Sequence, residues 1–208
     1  MKILMIYPEF PDTFWSFKHA LSFIRKKASS PPLGLLTIAG LFPQSWEKRL
    51  VDLNVEKLRD KDIQWADMVF ISAMTVQRSS SVKVIERVNA LGKPIVAGGP
   101  LFTMDPDAFP TVDHLVLNEG EITIPMFLAD LEKGQAKKRY ATSEYADITQ
   151  TPIPDWSLIK LNKYDSMSVQ YTRGCPFACD FCNVTALLGR KMRLKTTEQF
   201  IAELDSLY

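Results

Sequence analysis

A parallel, doubly wound α/β sheet is predicted by three observations. Short apolar runs recur along the chain, segments of helical periodicity separate them, and small or glycine residues follow several of the runs. Lys2–Tyr7 reads as the first strand, apolar and stopped by Pro8 and Pro11. In residues 12–27, Phe14, Trp15, Phe17, Leu21, Phe23 and Ile24 precede a run of cations, so part of this stretch is expected to be helical. Residues 33–42 carry Gly34, Ala39 and Gly40 among aliphatics, which suits a helix lying close on a sheet and ending before Pro43. Residues 48–53 form a second strand, 61–65 a short helix, 67–73 a third strand and 79–91 a helix with Val82, Ile85 and Val88 on about one face. Residues 93–98 make a fourth strand running into Gly99 and Pro100, 114–117 a fifth, and 122–133 a helix.

The pattern then changes. Residues 134–151 are charged and polar, and Pro152 and Pro154 break any regular element. The expected organisation is a first domain over 1–145, a Pro-rich linker over 146–165, and the start of a second domain over 166–208. In that last part 166–171 alternates like a strand, and 196–208 opens with a Thr196 cap before an amphipathic helix. One such βα unit cannot close a barrel, so the sequence is expected to be the N-terminal portion of a longer enzyme. No repeat of roughly 20–50 residues is present.

Bulk properties narrow the partners. With 208 residues and 46% hydrophobic content, the chain has room for one large or two small domains with a real core. Its 25 Lys and Arg balance 24 Asp and Glu, leaving no field for nucleic acid or an anionic bilayer; small molecules are the expected partners. The apolar run after Met1 is too short for a transmembrane segment or secretion signal, so a cytoplasmic location is expected.

The chemistry concentrates in Cys175, Cys179 and Cys182, a C-x3-C-x2-C run after Thr172, Arg173 and Gly174. Thiolates at these offsets can reach one soft metal centre from a single loop, and three of them leave one iron of a cluster without a protein ligand. A structural zinc site would want a fourth Cys or His, but His19 and His114 are the only histidines and stand far off in sequence. A disulfide framework is disfavoured by the odd count, and an electron-carrying ferredoxin motif by the missing fourth Cys. In open parallel sheets ligands bind beyond the strands' carboxyl ends. There the sequence offers Ser72 and Thr75, then Gly98 and Gly99, then Glu119, Gly120 and Glu121. Each glycine could equally mark a tight turn. Neither a G-x-G-x-x-G run after the first strand nor a G-x-x-x-x-G-K-[ST] run exists, which disfavours dinucleotide and ATP binding.

The cysteine spacing, with aromatic Phe181 just before the last Cys, resembles the radical S-adenosylmethionine (SAM) superfamily. The runs Tyr7-Pro-Glu-Phe-Pro-Asp-Thr-Phe-Trp15, Pro31-Pro-Leu-Gly-Leu35, Ala97-Gly-Gly-Pro-Leu101 and Asn118-Glu-Gly-Glu121 make the chain similar to cobalamin-binding-domain radical SAM enzymes, in the branch that includes hopanoid C-2 methylases. The resemblance implies a Rossmann-like sheet of the cobalamin-binding type, followed by the first βα unit of a truncated radical SAM barrel. It implies a [4Fe-4S] cluster on Cys175, Cys179 and Cys182, SAM on the open iron, and Phe181 beside the SAM adenine. Cobalamin would lie over the sheet edge, its nucleotide tail among Ser72, Thr75, Gly98, Gly99, Glu119 and Gly120.

The activity so implied is methylation of an unactivated carbon of a small-molecule or lipid substrate such as a hopanoid, with a reducing electron donor. One SAM would methylate cobalamin and a second would yield the 5′-deoxyadenosyl radical; this stretch alone is expected to be inactive. A non-methylating rearrangement, oxidation or coupling is the alternative reaction, and a non-catalytic corrinoid- or zinc-binding module the alternative of another class. The D-x-H-x-x-G run with which many corrinoid proteins ligate cobalt is missing around His19, so no protein imidazole on cobalt is expected. His19 and His114 read as surface or packing residues. Phe10, Phe14, Trp15 and Phe17 read either as core or as the wall of an apolar substrate pocket.

Overall fold

The computed structural model describes residues 1–207, Trp15 by its backbone alone. Strands β1 (Lys2–Tyr7), β2 (Glu47–Asp52), β3 (Met68–Ser72), β4 (Ile95–Gly98), β5 (His114–Val116) and β6 (Arg139–Tyr140) form one sheet in the order β2-β1-β3-β4-β5-β6. Every neighbouring pair is parallel. Parallel neighbours need crossovers, and helices α1 (Lys18–Phe23), α2 (Leu33–Ala39), α3 (Asp60–Trp65), α4 (Arg78–Ala90), α5 (Pro100–Met104) and α6 (Gly120–Glu132) lie within those connections. On one face Leu4, Ile6, Val69, Ile71, Ile95 and Ala97 pack with Ile63, Val84, Ile85, Val88, Leu101 and Phe102 from α3, α4 and α5. On the other, Ile3, Met5, Phe70, Val96 and Val116 pack with Leu35 and Leu36 of α2 and Ile124 and Phe127 of α6. A strand covered on both faces has no polar side to show, which is why these runs are apolar throughout rather than alternating. The expected doubly wound parallel sheet is the fold observed.

Three details differ from expectation. α5 follows Gly99 at once, with Pro100 in its first turn, where the missing N–H would have no helical partner in any case; five residues are too few to show a period. β6 falls in a stretch that reads as irregular, because a two-residue edge strand carries no pattern. It is held by the Leu115↔Arg139 and Val116↔Tyr140 pairing and by the Tyr140 ring set edge-on against Phe127 at 5.6 Å. α2 stops at Ala39 rather than running to 42; at Gly40 a side chain would meet the Ile153 carbonyl oxygen at 2.8 Å.

Beyond the sheet, β7 (Thr172–Arg173) and β8 (Arg193–Leu194) form an antiparallel ribbon, with α7 (Val184–Leu188) between them and α8 (Thr197–Asp205) after. The strand expected at 166–171 does not form. A strand exists only with a ladder partner; the pairing here is limited to an isolated parallel bridge between Ala28 and Tyr164, with the Asp165 and Ser166 amides donating to the Ala28 and Ser29 carbonyls at 3.0 and 2.9 Å. Thr196 does cap α8, its hydroxyl accepting from the Gln199 amide at 3.1 Å. Tyr208, the last residue of the expected helix, lies outside the described residues.

Residues 146–165 are docked along the first sheet. The Asp155 carboxylate pairs with Lys48 at 2.6 Å, its amide donates to the Leu36 carbonyl at 3.0 Å, and the Tyr164 hydroxyl donates to Asp52 at 3.0 Å. Asp52 is 2% exposed and also accepts from the Asn54 amide and side chain at 2.9 and 2.7 Å, all without a cation. Burial pushes its carboxyl above the usual range, and the hydrogen bonds from Asn54 and Tyr164 only partly counter this. Burial, with Asp52 close by, pushes Tyr7 up to about 12. A carboxyl whose folded pKa exceeds its unfolded one loses stability as pH rises through that interval, so the charge is a net cost at neutral pH. An Asn at this place could accept from Asn54 through its oxygen and donate to the Tyr164 hydroxyl through its nitrogen. Asp52→Asn should therefore raise the urea midpoint at neutral pH, the gain shrinking towards about pH 4. A lower midpoint at neutral pH would mean that the carboxylate is a net stabiliser.

Candidate functional site

The carboxyl ends of β3, β4 and β5 open into a cleft of about 380 Å³ against α2 and the start of α6. Its volume lies within the range of small-molecule sites. Phe70, Val96 and Val116 line it from the sheet, Leu33, Gly34 and Ile38 from α2. Ser72, Gly98, Gly99, Glu119 and Gly120 also line it, so five of the six residues expected at a sheet-edge ligand meet there. Thr75 does not; it is exposed at the start of a 3-10 turn outside the cleft.

The glycines have separate causes. Gly99 has φ 87°, and a Cβ there would stand 2.6 Å from the Ser72 hydroxyl; one on Gly98 would stand 2.6 Å from the Val116 carbonyl oxygen. Both are demanded by the close approach of neighbouring strand ends. Gly34 is the opposite case. Nothing lies within 4 Å of the place its Cβ would take, although glycine in a helix costs about 1 kcal/mol relative to alanine. Packing therefore does not explain Gly34, whose bare backbone lines the cleft. The apolar walls, the small residues and this open position fit one arm of a large ligand such as a corrinoid.

Glu119 is placed differently from expectation. Its carboxylate, 2% exposed, grips Arg193 with both oxygens at 2.8 and 2.5 Å, accepts from the Ala146 amide at 2.8 Å and stands 3.4 Å from Arg173. The carboxylate is engaged by protein, while the residue still lines the cleft. Glu121 accepts from Arg173 at 2.7 Å and from the Thr151 hydroxyl at 3.2 Å. Burial alone would raise the Glu121 carboxyl, but Arg173's hydrogen bond and charge outweigh it and hold the group below the usual carboxylate range. Arg173 and Arg193 are direct partners in the β7–β8 register. Two like charges so placed repel, and the two glutamates make the pairing tolerable. Arg193 also donates to the Ala146 and Leu188 carbonyls at 2.7 and 2.9 Å and lies over the Tyr145 ring at 5.1 Å.

The cysteine loop hangs from this ribbon. The Cys175 amide donates to the Gly189 carbonyl at 3.1 Å, and a 3.1 Å bond from the Cys182 amide to the Cys179 carbonyl makes a turn. Cys175 and Cys182 are half-buried, Cys179 is exposed, and all three are free thiols. Among the described residues no three His, Cys, Asp or Glu side chains converge on a metal-binding point. The donor chemistry, three thiols on one accessible loop, fits a soft metal cluster. Phe181 is 92% exposed and does not reach the cleft.

A second cleft, of about 460 Å³, lies beyond β1 and β2 and is lined by Glu9, Phe10, Thr13, Lys18, Lys27 and Asn54 among others. Beside it in sequence Phe14 and Phe17 are 79% and 47% exposed, so they are not core; the side chain of Trp15 lies outside the described residues. His19 is exposed near Asp12 at 3.3 Å. The His114 Nδ1 donates to the Lys137 carbonyl at 2.7 Å, and the ring packs on Phe127. Neither lines a cleft. Sequence reasoning missed Gln170, Arg173, Leu188 and Arg193. The only signal for Arg173 was its place two residues before Cys175, and nothing in the sequence joins it to an acidic pair more than fifty residues earlier. No helix among the described residues is long and apolar enough to cross a membrane.

The chain is 47% identical over 210 residues to an uncharacterized methyltransferase of Synechocystis, covering all of this chain and 39% of that protein. It is 36% identical over 211 residues to the hopanoid C-2 methylase of Rhodopseudomonas palustris, covering 99% of this chain and 40% of that protein. An anaerobic magnesium-protoporphyrin IX monomethyl ester cyclase of Synechocystis is 26% identical over 249 residues, covering all of this chain and 47% of that protein. The chain thus spans less than half the length of these relatives. Residues 25–128, which carry α2, β2 to β5 and most of the cleft lining, match the B12 binding domain. The match extends over half of the chain, which therefore belongs to the B12-binding domain family.

Proposed function

We propose that the chain is the cobalamin-holding part of a radical SAM enzyme that methylates an unactivated carbon. The observation that carries this reading is the joining, through Glu119, Arg173 and Arg193, of a strand-end cleft in a B12-binding domain to a loop bearing C-x3-C-x2-C. Its similarity to proteins named as methyltransferases supports the reaction class. When bound, cobalamin supplies the methyl group, and the cluster with SAM supplies the radical that opens the substrate's C–H bond. Residues 1–145 would hold the corrinoid, and the segment from 166 would begin the cluster domain, joined by the docked 146–165.

Within this scheme Gly34, Ser72, Gly98, Gly99 and Gly120 would receive the nucleotide arm. Phe70, Val96 and Val116 would exclude water from it, and the Ser72 hydroxyl could donate or accept a hydrogen bond. Cys175, Cys179 and Cys182 would hold the [4Fe-4S] cluster as thiolates, with Phe181 beside SAM. With both histidines away from the clefts, the cobalt would receive no imidazole from this chain. The substrate would be a small molecule or a lipid such as a hopanoid, for which the exposed Phe14 and Phe17 and the second cleft beside Phe10 offer an apolar surface. Similarity to a cyclase favours a second reading, in which cluster and SAM are kept but no methyl is transferred; product mass separates the two, since methylation adds one CH2.

Anaerobic reconstitution with iron and sulfide should give a brown protein with a cluster signal in electron paramagnetic resonance after reduction. Hydroxocobalamin titration should shift the corrin spectrum. Cys179→Ser should lose the iron and keep the corrinoid. A colourless protein holding one zinc would overturn the cluster, and an unchanged corrin spectrum the cobalamin.

A further inference from the structure

We propose that the cobalamin site is bipartite: the β7–β8 ribbon completes it, so that filling the cleft and ordering the cysteine loop are coupled through Arg173. This rests on the cobalamin reading of the cleft. Gln170, Arg173 and Leu188 line the cleft although all three lie beyond residues 25–128, the part matching the B12 binding domain. Their presence there is set by buried charge. Arg173, its side chain 10% exposed, reaches Glu121 at 2.7 Å and Glu119 at 3.4 Å, side chains 12% and 2% exposed. The Gln170 oxygen accepts from the same guanidinium at 3.0 and 2.9 Å and fixes its plane. Arg173 thus has the cleft on one side and Cys175 two residues on.

The other end of the loop is held by Glu119 as well. Arg193, bidentate on Glu119, donates to the Leu188 carbonyl at 2.9 Å, and the Cys175 amide donates to the neighbouring Gly189 carbonyl. Both ends of the cysteine-bearing segment therefore converge on Glu119, the residue that precedes α6. Moving the ribbon would strand buried charges, which is costly. A ligand in the cleft touches this wall, and whatever it contributes to holding the wall it contributes to holding the loop. By linkage, the ordered loop must tighten the ligand to the same degree. Arg173 is a positioning residue in this scheme, acting through the wall rather than on a reacting atom.

The test uses the 208-residue chain, hydroxocobalamin and limited trypsin digestion read by mass spectrometry at Arg190 and Lys191. Hydroxocobalamin should slow cleavage at these two sites. Arg173→Gln and Glu121→Gln should each weaken hydroxocobalamin binding by about tenfold and abolish the protection, and the double variant should be little worse than either. Arg173→Lys keeps the charge without the fork; it should bind with intermediate affinity, and it carries the same test if Arg173→Gln fails to fold. If the unsubstituted chain binds no hydroxocobalamin, the cobalamin reading itself falls. If it binds but gives no protection, or if the variants bind as tightly, only the coupling is overturned.

Discussion

Replacing Glu119 with Ala should cost about 3–5 kcal/mol of stability, because it removes one partner from a buried charge network and leaves the other stranded. The carboxylate satisfies Arg193 with both oxygens and takes the Ala146 amide, all at 2.8 Å or less. The Arg193 guanidinium, its side chain 15% exposed, would keep only the Ala146 and Leu188 carbonyls and the Tyr145 ring. Arg173 would at the same time lose part of the field that lets it stand opposite Arg193. Glu119→Gln should cost less, since the amide oxygen can still accept one guanidinium arm while its nitrogen faces the other. Urea denaturation of both variants checks the order. A loss under about 1 kcal/mol for Glu119→Ala would place the pair with solvent-screened surface bridges and remove the main support for a ribbon held by charge.

The sheet was legible in the sequence because its central strands are covered on both faces and so read as unbroken apolar runs, as in residues 3–6 or 68–71. The cleft was legible for a related reason. Strand ends meet where small residues follow the runs, and Ser72, Gly98, Gly99 and Gly120 are such residues. What could not be read is what depends on distant partners. The partner of the Glu119 carboxylate is Arg193, seventy-four residues away, so its place as an internal counter-ion could not be read. Gly34 looked like a helix-packing glycine, yet the space beside it is open. Residues 146–165 looked like a linker because their prolines break regular structure; their docking through Asp155, Trp156 and Tyr164 uses side chains with no periodicity to betray it. The cysteine loop shows the same limit, since spacing reports which thiols share a loop and not whether they have converged.

The second large effect is expected at Lys195 and Glu203, whose side chains are 3% and 2% exposed and meet at 2.6 Å. They join β8 to α8, next to the ribbon that carries Arg193. Two charges withdrawn from water gain from each other roughly what desolvation costs them, so the intact pair contributes little net stability, while either charge alone is expensive. Glu203→Leu should therefore cost about 3–5 kcal/mol, whereas Lys195→Met with Glu203→Leu should be neutral or more stable by up to about 4 kcal/mol. The double variant should still dock correctly, because α8 is tied independently by Gln199 to the Ile148 and Thr151 carbonyls at 3.1 and 3.0 Å. The Trp156 indole adds a bond to Ser206 at 3.0 Å. Urea denaturation of the two single variants and the double gives the interaction energy directly. If the double variant is as unstable as Glu203→Leu, the pair is itself a net stabiliser of the helix. If it is stable but trypsin cuts at Arg190 and Lys191 faster than in the unsubstituted chain, the buried charges act instead to hold α8 in register with the ribbon.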